Sequence, residues 1–172
     1  MTDYIKYIIR FVLLALFQIF ILNNIDLFGF MNPFLYIVFI LTLPFKIKHT
    51  PLVIISFLMG YFVDLLTGNI MGIHAASALL LGFLRPSIIR LVSSNESDYD
   101  NKNAPDLMSM GGKWFFTYAG VLVFVYNFSY FFLEHFTFSH FFKTFFIAIG
   151  NTVFTLLAIF IYEFLRNRKS SR

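Results

Sequence analysis

Six stretches of mostly apolar residues follow one another along the chain, and polar breaks separate them. An α-helix needs roughly 20 mostly apolar residues to cross a bilayer, and each stretch approaches that length. The pattern therefore predicts an all-α membrane protein that is a single integral membrane domain. Its six transmembrane helices are expected at about residues 5–22, 30–45, 51–66, 73–92, 114–133 and 141–165.

The breaks between the stretches differ in length and kind. The second stretch begins near Asn32-Pro33, which shortens its clean apolar run. A basic turn at 46–49 separates the second stretch from the third, and glycine and polar residues at 67–72 separate the third from the fourth. The long polar segment 93–113, whose first part is acidic, cannot bury enough apolar area to order itself. We expect a flexible cytoplasmic loop there.

The composition agrees with residence in a membrane. The chain has 172 residues, of which 59% are hydrophobic and only 13% are charged. A soluble domain of this size could not hide so much apolar surface in one core, whereas lipid allows it to face outward. The abundant aromatic residues are interpreted as lipid-facing bulk. The exceptions are a belt near the interfaces formed by Tyr4, Tyr7, Trp114, Tyr118 and Tyr162.

The first apolar stretch could also be read as a signal peptide, because Lys6 and Arg10 precede the apolar run 11–22. The residues after that run are Asn, Asn, Ile and Asp, and they offer no small-x-small cleavage site. We therefore expect a retained first helix.

The lysines and arginines predict the orientation. With six spans and both termini in the cytoplasm, all of the 13 Lys and Arg residues except Arg85 and Lys143 lie on the cytoplasmic side. A five-span arrangement would place one basic terminus outside. A re-entrant hairpin of the second and third stretches would bury the Lys46/Lys48 turn in lipid, which costs several kcal/mol.

Charged residues inside membrane spans are candidates for function, because they are expensive to place there. Asp64 lies about one turn from the outer end of the third span, and Gly60 shares its face. The carboxylate could serve a packed polar contact, a proton relay or a ligand. The favoured interpretation is that it caps the turn by accepting hydrogen bonds from backbone amides around 68–72 or from His74.

Arg85 is the second charged residue of this kind. It extends a stripe of small residues at helical spacing, Ala75, Ala78 and Gly82, which would let another helix approach closely. Snorkelling of Arg85 to lipid headgroups is the favoured interpretation, and contact with a partner subunit is the alternative. No ion pair with Asp64 is expected, because the two residues lie at different depths.

The sequence gives little support for catalysis or for metal binding. The chain has no cysteine, so thiolate metal sites and disulfides are excluded. His135 and His140, with Glu134 beside them, would make at best a weak metal site at the outer interface. No nucleophile stands at a usable spacing from a base. We expect neither an enzyme nor a bound cofactor.

Residues 51–86 resemble the rod shape-determining protein MreD family. The family carries a Gly-x-x-x-Asp element, which Gly60 and Asp64 match here, then a short turn that contains Gly68. A Gly-hydrophobic-His start of the next helix follows, matched by Gly72 and His74. The chain length, the basic ends and the plan of six spans agree with the family as well.

The resemblance implies a non-enzymatic protein of the bacterial inner membrane. It implies that the chain binds MreC and works with the MreB filament and the elongation peptidoglycan synthases, a glycosyltransferase and a class B penicillin-binding transpeptidase. It also implies a fold similar to the substrate-binding component of energy-coupling-factor vitamin transporters. The matching motif residues would be structural. The face of Ala75, Ala78, Gly82 and Arg85 is a possible helix-packing or partner face, and we hypothesise that its small residues bind a single-span partner helix.

Two alternatives compete with this reading. A vitamin-binding transporter component would typically carry a small-xxx-small pattern in its first span, where this chain has the lone Ala15. It would also need several polar groups converging from the outer side. The available set, Asp64, Asn69, His74 and Asn151, is thin. An intramembrane enzyme is the second alternative, and nothing in the sequence supplies its nucleophile.

Overall fold

The computed structural model describes residues 2–22, 32–68, 70–93, 102–135 and 141–170. All regular structure in these ranges is helical. The helices are α1 (Thr2–Phe20), α2 (Ile37–Leu41), α3 (His49–Thr67), α4 (Ile73–Val92), α5 (Leu107–Met110), α6 (Gly112–His135) and α7 (Phe141–Ser170).

Four of the described helices are long and apolar enough to cross a membrane: α3, α4, α6 and the part of α7 from Phe141 to Arg166. Helix α1 has 19 residues but includes Asp3, Lys6 and Arg10, which lower its apolar character. The prediction of an all-α, multi-pass membrane protein is confirmed.

The predicted second span has a different structure from the continuous helix that was expected over 30–45. Helix α2 has only five residues, and irregular backbone lies on both sides of it. Pro33 and Pro44 flank it, and each proline lacks an amide hydrogen and disfavours helix in the residue before it. We call residues 32–45 the inner segment. Every residue from 34 to 43 is buried, so this segment lies inside protein rather than in lipid.

Contacts with α1 give the direction of the inner segment. Its start lies beside Gln18, whose side chain reaches the carbonyl of Pro33. Its end lies beside Arg10, which reaches the hydroxyl of Thr42. Because Gln18 follows Arg10 by about two helical turns, the inner segment runs antiparallel to α1.

Aromatic contacts with α6 give the length of the inner segment. Phe34 packs against Phe131 with ring centroids 6.5 Å apart, and Phe45 packs against Trp114 at 6.4 Å. Phe131 and Trp114 are separated by about 25 Å of helix at 1.5 Å per residue. The inner segment therefore extends over about 25 Å along α6 with fewer residues than a helix of that length would need.

Small residues bring α3 and α4 into close antiparallel contact. A Cβ atom at Gly60 would lie 2.7 Å from the Cα of Ala75, and one at Gly82 would lie 2.7 Å from the Cβ of Ser56. Ala75 and Ala78 are buried. The stripe on α4 therefore packs against α3 of the same chain, as its possible helix-packing role predicted, and its buried residues are not available to bind a partner helix.

Basic residues collect at one end of the bundle. The start of α1, the end of the inner segment, the start of α3, the end of α4, the start of α6 and the end of α7 meet there, because successive elements alternate in direction. We call this the basic end. Among the described residues it carries Lys6, Lys46, Lys48, Arg90, Lys113 and Arg166, while Lys143 lies at the opposite end.

Part of the loop predicted to be flexible is structured. Residues 94–101 lie outside the described ranges, but 102–111 contain α5. The side chain of Asp106 caps α5 by accepting hydrogen bonds from the backbone amides of Met108 at 2.8 Å and Ser109 at 2.7 Å. Leu107 packs against the core. One cap and one apolar anchor thus order a stretch that polar composition alone marked as flexible.

Candidate functional site

Asp64 joins the end of α3 to the start of α4. Its carboxylate is buried and accepts hydrogen bonds from the backbone amides of His74 at 3.2 Å and Ala75 at 2.9 Å. The N-cap residue of α4, Gly72, has no side chain to make such bonds. A carboxylate at a helix N-terminus also interacts favourably with the helix dipole. Of the roles considered for Asp64, capping is the one that the structure bears out.

Two glycines shape the turn that Asp64 closes. Gly68 ends α3 with φ 67° and Gly72 precedes α4 with φ 98°, both in the left-handed region that favours glycine. Gly60 lies one turn before Asp64 and permits the close contact with α4 described above. Gly60, Asp64, Gly68, Gly72 and His74 therefore belong to one α3–α4 connection.

The side chain of His74 points into a buried cluster with two tyrosines, Tyr36 of the inner segment and Tyr126 of α6. Its Nδ1 lies 2.7 Å from the hydroxyl of Tyr126 and 3.2 Å from that of Tyr36, and the two hydroxyls also bond to each other. We call these three residues the histidine–tyrosine cluster. It ties the inner segment to α4 and α6 at the end opposite the basic one.

Arg85 holds the other end of α2. It is only 1% exposed, and its Nε donates to the hydroxyl of Tyr118 at 2.9 Å. Its Nη2 donates to the carbonyl of Leu41 at 3.4 Å and also to that of Leu43. The Tyr118 hydroxyl donates to the same Leu41 carbonyl at 2.9 Å. These carbonyls need partners because α2 ends at Leu41.

Both interpretations of Arg85 from the sequence are therefore wrong. The guanidinium neither snorkels to headgroups nor faces a partner subunit, because it binds backbone carbonyls inside the chain. Tyr118 is likewise fully buried rather than part of an interfacial belt. Arg85 and Asp64 bind different groups, as their separate depths predicted.

Side chains from α1 and α7 satisfy the irregular backbone before α2. The Gln18 side chain donates to the carbonyl of Pro33 at 3.1 Å and accepts from the amide of Tyr36 at 3.4 Å. The hydroxyl of Thr155 accepts from the amide of Phe34 at 3.2 Å. Non-helical backbone at membrane depth needs such internal partners, because lipid supplies none. The polar interior thus serves to hold the inner segment in place.

A third polar contact joins α6 and α7. The Asn151 side-chain amide donates to Asn127 at 2.7 Å, and Asn127 donates to the Thr152 hydroxyl at 3.2 Å. Such side-chain hydrogen bonds are common between helices in membranes. Asn151, which the sequence suggested as a group for a ligand pocket, instead contributes to helix packing.

A cavity of about 300 Å³ lies at the end opposite the basic one. It reaches the histidine–tyrosine cluster at His74, and Glu134 and Tyr130 supply its other polar groups. A volume of about 300 Å³ is at the lower bound for small-molecule sites. Gly68, Ile70 and Ile73 complete the lining.

Within the described ranges, His, Asp and Glu residues form no group of three or more that could hold a metal ion. His140, part of the weak site considered from the sequence, lies outside those ranges.

No protein-family model, curated protein or solved structure matches the chain.

Several residues that build the polar interior were not singled out from the sequence. They are Gln18, Tyr36, Tyr126 and Thr155. A signal was present, since each is a hydrogen-bonding residue inside an otherwise apolar stretch. The interpretation of aromatic residues as lipid-facing bulk did not separate Tyr36 and Tyr126, which lie within apolar stretches, from the phenylalanines around them.

Proposed function

We propose that the chain is a non-enzymatic scaffold of the MreD type in the bacterial inner membrane. In this role it maintains cell shape by binding MreC and coupling it to the peptidoglycan synthases of elongation, with MreB connected indirectly. The observation that carries the proposal is the α3–α4 connection. The residues that match the family motif are up to 14 positions apart in sequence, yet they act together in this connection. They are Gly60, Asp64, Gly72 and His74.

We further propose that the chain crosses the membrane six times with both termini in the cytoplasm. Support comes from the alternating directions of α1, the inner segment, α3, α4, α6 and α7. The inner segment would then be a crossing made mostly without helix. The collection of Lys and Arg at the basic end supports a cytoplasmic location for that end.

Binding of MreC must use a surface other than the one first hypothesised. Helix α3 covers the small residues Ala75, Ala78 and Gly82. Arg85 binds backbone carbonyls of the inner segment. A partner helix in the bilayer can reach only lipid-facing residues. A large residue at Gly82 would therefore disturb MreC binding through the fold and not through a lost contact.

Affinity purification tests the proposal directly. The tagged chain would be isolated from its own membranes in mild detergent, and the accompanying proteins would be identified by mass spectrometry. We expect MreC and elongation synthases, which should be missing from a parallel purification of an unrelated multi-pass protein with the same tag. Recovery of two ATPases with a transmembrane coupling subunit, without wall-synthesis proteins, would overturn the scaffold proposal.

The cavity at His74, Tyr130 and Glu134 favours a second candidate function, the substrate-binding component of an energy-coupling-factor vitamin transporter. Its polar groups converge from the end opposite the basic one, as such a component requires. The freshly purified protein would then release a bound vitamin on denaturation, detectable by liquid chromatography and mass spectrometry. Glu134→Gln should reduce that yield. Recovery of MreC with no released small molecule would exclude this candidate.

A further inference from the structure

The cavity of about 300 Å³ at the end opposite the basic one has a buried floor and an exposed rim. His74 and Tyr130, which are 2% and 7% exposed, form the floor. Gly68, Ile70 and Glu134 are exposed and form the rim. A ligand site needs polar atoms on such a floor that the protein itself does not use.

The ring of His74 has one nitrogen in the histidine–tyrosine cluster and one outside it. Nδ1 lies within hydrogen-bond distance of the hydroxyls of Tyr36 and Tyr126, and these hydroxyls bond to each other. Each hydroxyl has one proton to donate, and when Nδ1 accepts, both protons find acceptors within the cluster. A proton on Nδ1 would leave one hydroxyl proton without an acceptor there. The hydrogen bonds therefore assign the ring proton to Nε2.

Two polar atoms on the cavity floor have no hydrogen-bond partner in the described part of the chain. They are Nε2 of His74 and the hydroxyl oxygen of Tyr130, and neither is sealed from solvent although both residues are more than nine-tenths buried. Because both residues line the cavity, the two atoms are open toward it. The floor thus presents one fixed N–H donor and one hydroxyl, both of which can donate to an oxygen atom of a ligand.

The rim adds a negative charge. The carboxylate of Glu134 makes no ion pair with any described residue, including Lys143 of the neighbouring helix α7. The adjacent His135 acts against this charge, whereas the carboxylate of Asp64 adds to the negative field at Tyr130. Asp64 itself is occupied by backbone amides of α4. Among the residues that line the cavity, Glu134 therefore remains as the acceptor for a cation.

We propose that this cavity binds a small organic ammonium compound that also carries an oxygen acceptor. The ammonium group pairs with Glu134, and the oxygen accepts from Nε2–H of His74 and from the Tyr130 hydroxyl. A volume of about 300 Å³ limits the occupant to a small molecule or to a lipid headgroup of the same chemistry, phosphoethanolamine. The site goes beyond the scaffold role, which needs no ligand, and under the transporter alternative it specifies the class of substrate.

Ethanolamine is the simplest probe of this site, and propan-1-ol is its control because a methyl group replaces the ammonium group. The full chain would be studied in dodecyl maltoside micelles by saturation-transfer NMR, which detects weak binding through the signals of the ligand. We expect ethanolamine to bind about fivefold more tightly than propan-1-ol, as one ion pair at a partly exposed site provides. Equal binding of the two probes, or binding of neither, would overturn the proposal.

Variants identify the contacts. Tyr130→Phe keeps the ring and removes the hydroxyl, so it should weaken ethanolamine binding by about fivefold. Tyr61→Phe, on the exposed face of α3, is the matched control and should leave binding unchanged. Glu134→Gln should abolish the preference for ethanolamine over propan-1-ol. If both Tyr130→Phe and Glu134→Gln bound ethanolamine as the parent does, the probe would bind elsewhere and the assignment would be wrong.

Phosphatidylethanolamine distinguishes the two sources of this chemistry. Added to the micelles, it should suppress the ethanolamine signal if the cavity takes a lipid headgroup, whereas a signal that persists assigns the cavity to a soluble amine. The measurement needs no partner protein. A negative result would therefore leave the MreC proposal standing, and a purification without MreC would leave the cavity assignment standing.

Discussion

The carboxylate of Asp64 accepts a hydrogen bond from the backbone amide of His74 at 3.2 Å, so the last turn of α3 caps the first turn of α4. This contact joins two residues on either side of a tight turn inside the membrane domain. It explains a charged side chain at this depth without a ligand, an ion pair or a proton pathway.

Replacing Asp64 should destabilise the protein by removing this cap. Loss of a capping side chain typically costs about 1–2 kcal/mol, so Asp64→Ala should unfold at a lower temperature in detergent. Asp64→Asn keeps an oxygen acceptor and should retain part of the stability. Circular dichroism during heating measures both variants. Equal stability of Asp64→Ala and the parent would show that the cap contributes nothing.

Gly60→Ala tests the close contact between α3 and α4. Its Cβ would approach the backbone of His74 and Ala75, which cannot move aside cheaply. We expect reduced yield and a lower unfolding temperature.

Gly120→Ala is the matched control on α6, because its Cβ would meet only Leu156 Cδ1 at 3.9 Å. Alanine favours helix over glycine by about 1 kcal/mol, so the control should be neutral or stabilising. The contact would be refuted by a Gly60→Ala protein as stable as the control.

Arg85 and Tyr118 should behave as one unit. Arg85→Met leaves the carbonyls of Leu41 and Leu43 short of donors, and a buried unpaired group costs about 1–3 kcal/mol. Tyr118→Phe removes a second donor to the same Leu41 carbonyl. Because the two residues share a partner, the double variant should deviate from additivity by more than about 0.5 kcal/mol in unfolding experiments. Strict additivity would contradict a shared role in holding the inner segment.

The proposed orientation predicts the labelling of single cysteines in intact cells. Lys48→Cys lies in the exposed turn at the basic end, and Lys143→Cys lies at the opposite end. A membrane-impermeant maleimide added outside should label position 143 and leave position 48 unmodified until the cells are opened. If both positions were labelled from outside, they would lie on the same side of the membrane, and the proposed orientation would be wrong.

The long helices were predictable because apolar run length and glycine-containing turns directly reflect membrane crossing. The third span was expected at 51–66 and is observed as His49–Thr67, and the fourth matches at residues 73 and 92. The inner segment was not predicted, because hydropathy measures apolar character and not helical continuity. Pro33 and Pro44 were the available signals against a continuous helix.

The candidate site was predictable only where both partners are local in sequence. The Asp64 cap follows from ten-residue spacing across one turn, so backbone amides near His74 were natural partners. Arg85 binds backbone carbonyls of a segment more than 40 positions away. Every residue has a backbone carbonyl, so the amino-acid sequence does not indicate which carbonyls Arg85 binds.

The inner segment has a consequence for biogenesis. Residues 32–45 emerge from the ribosome before α4, α6 and α7, yet their free backbone groups pair with Arg85, Tyr118 and Thr155 on those later helices. Unlike a helix, this stretch cannot enter lipid with its hydrogen bonds already made. These hydrogen bonds can therefore form only after the carboxyl-terminal half of the chain has been synthesised.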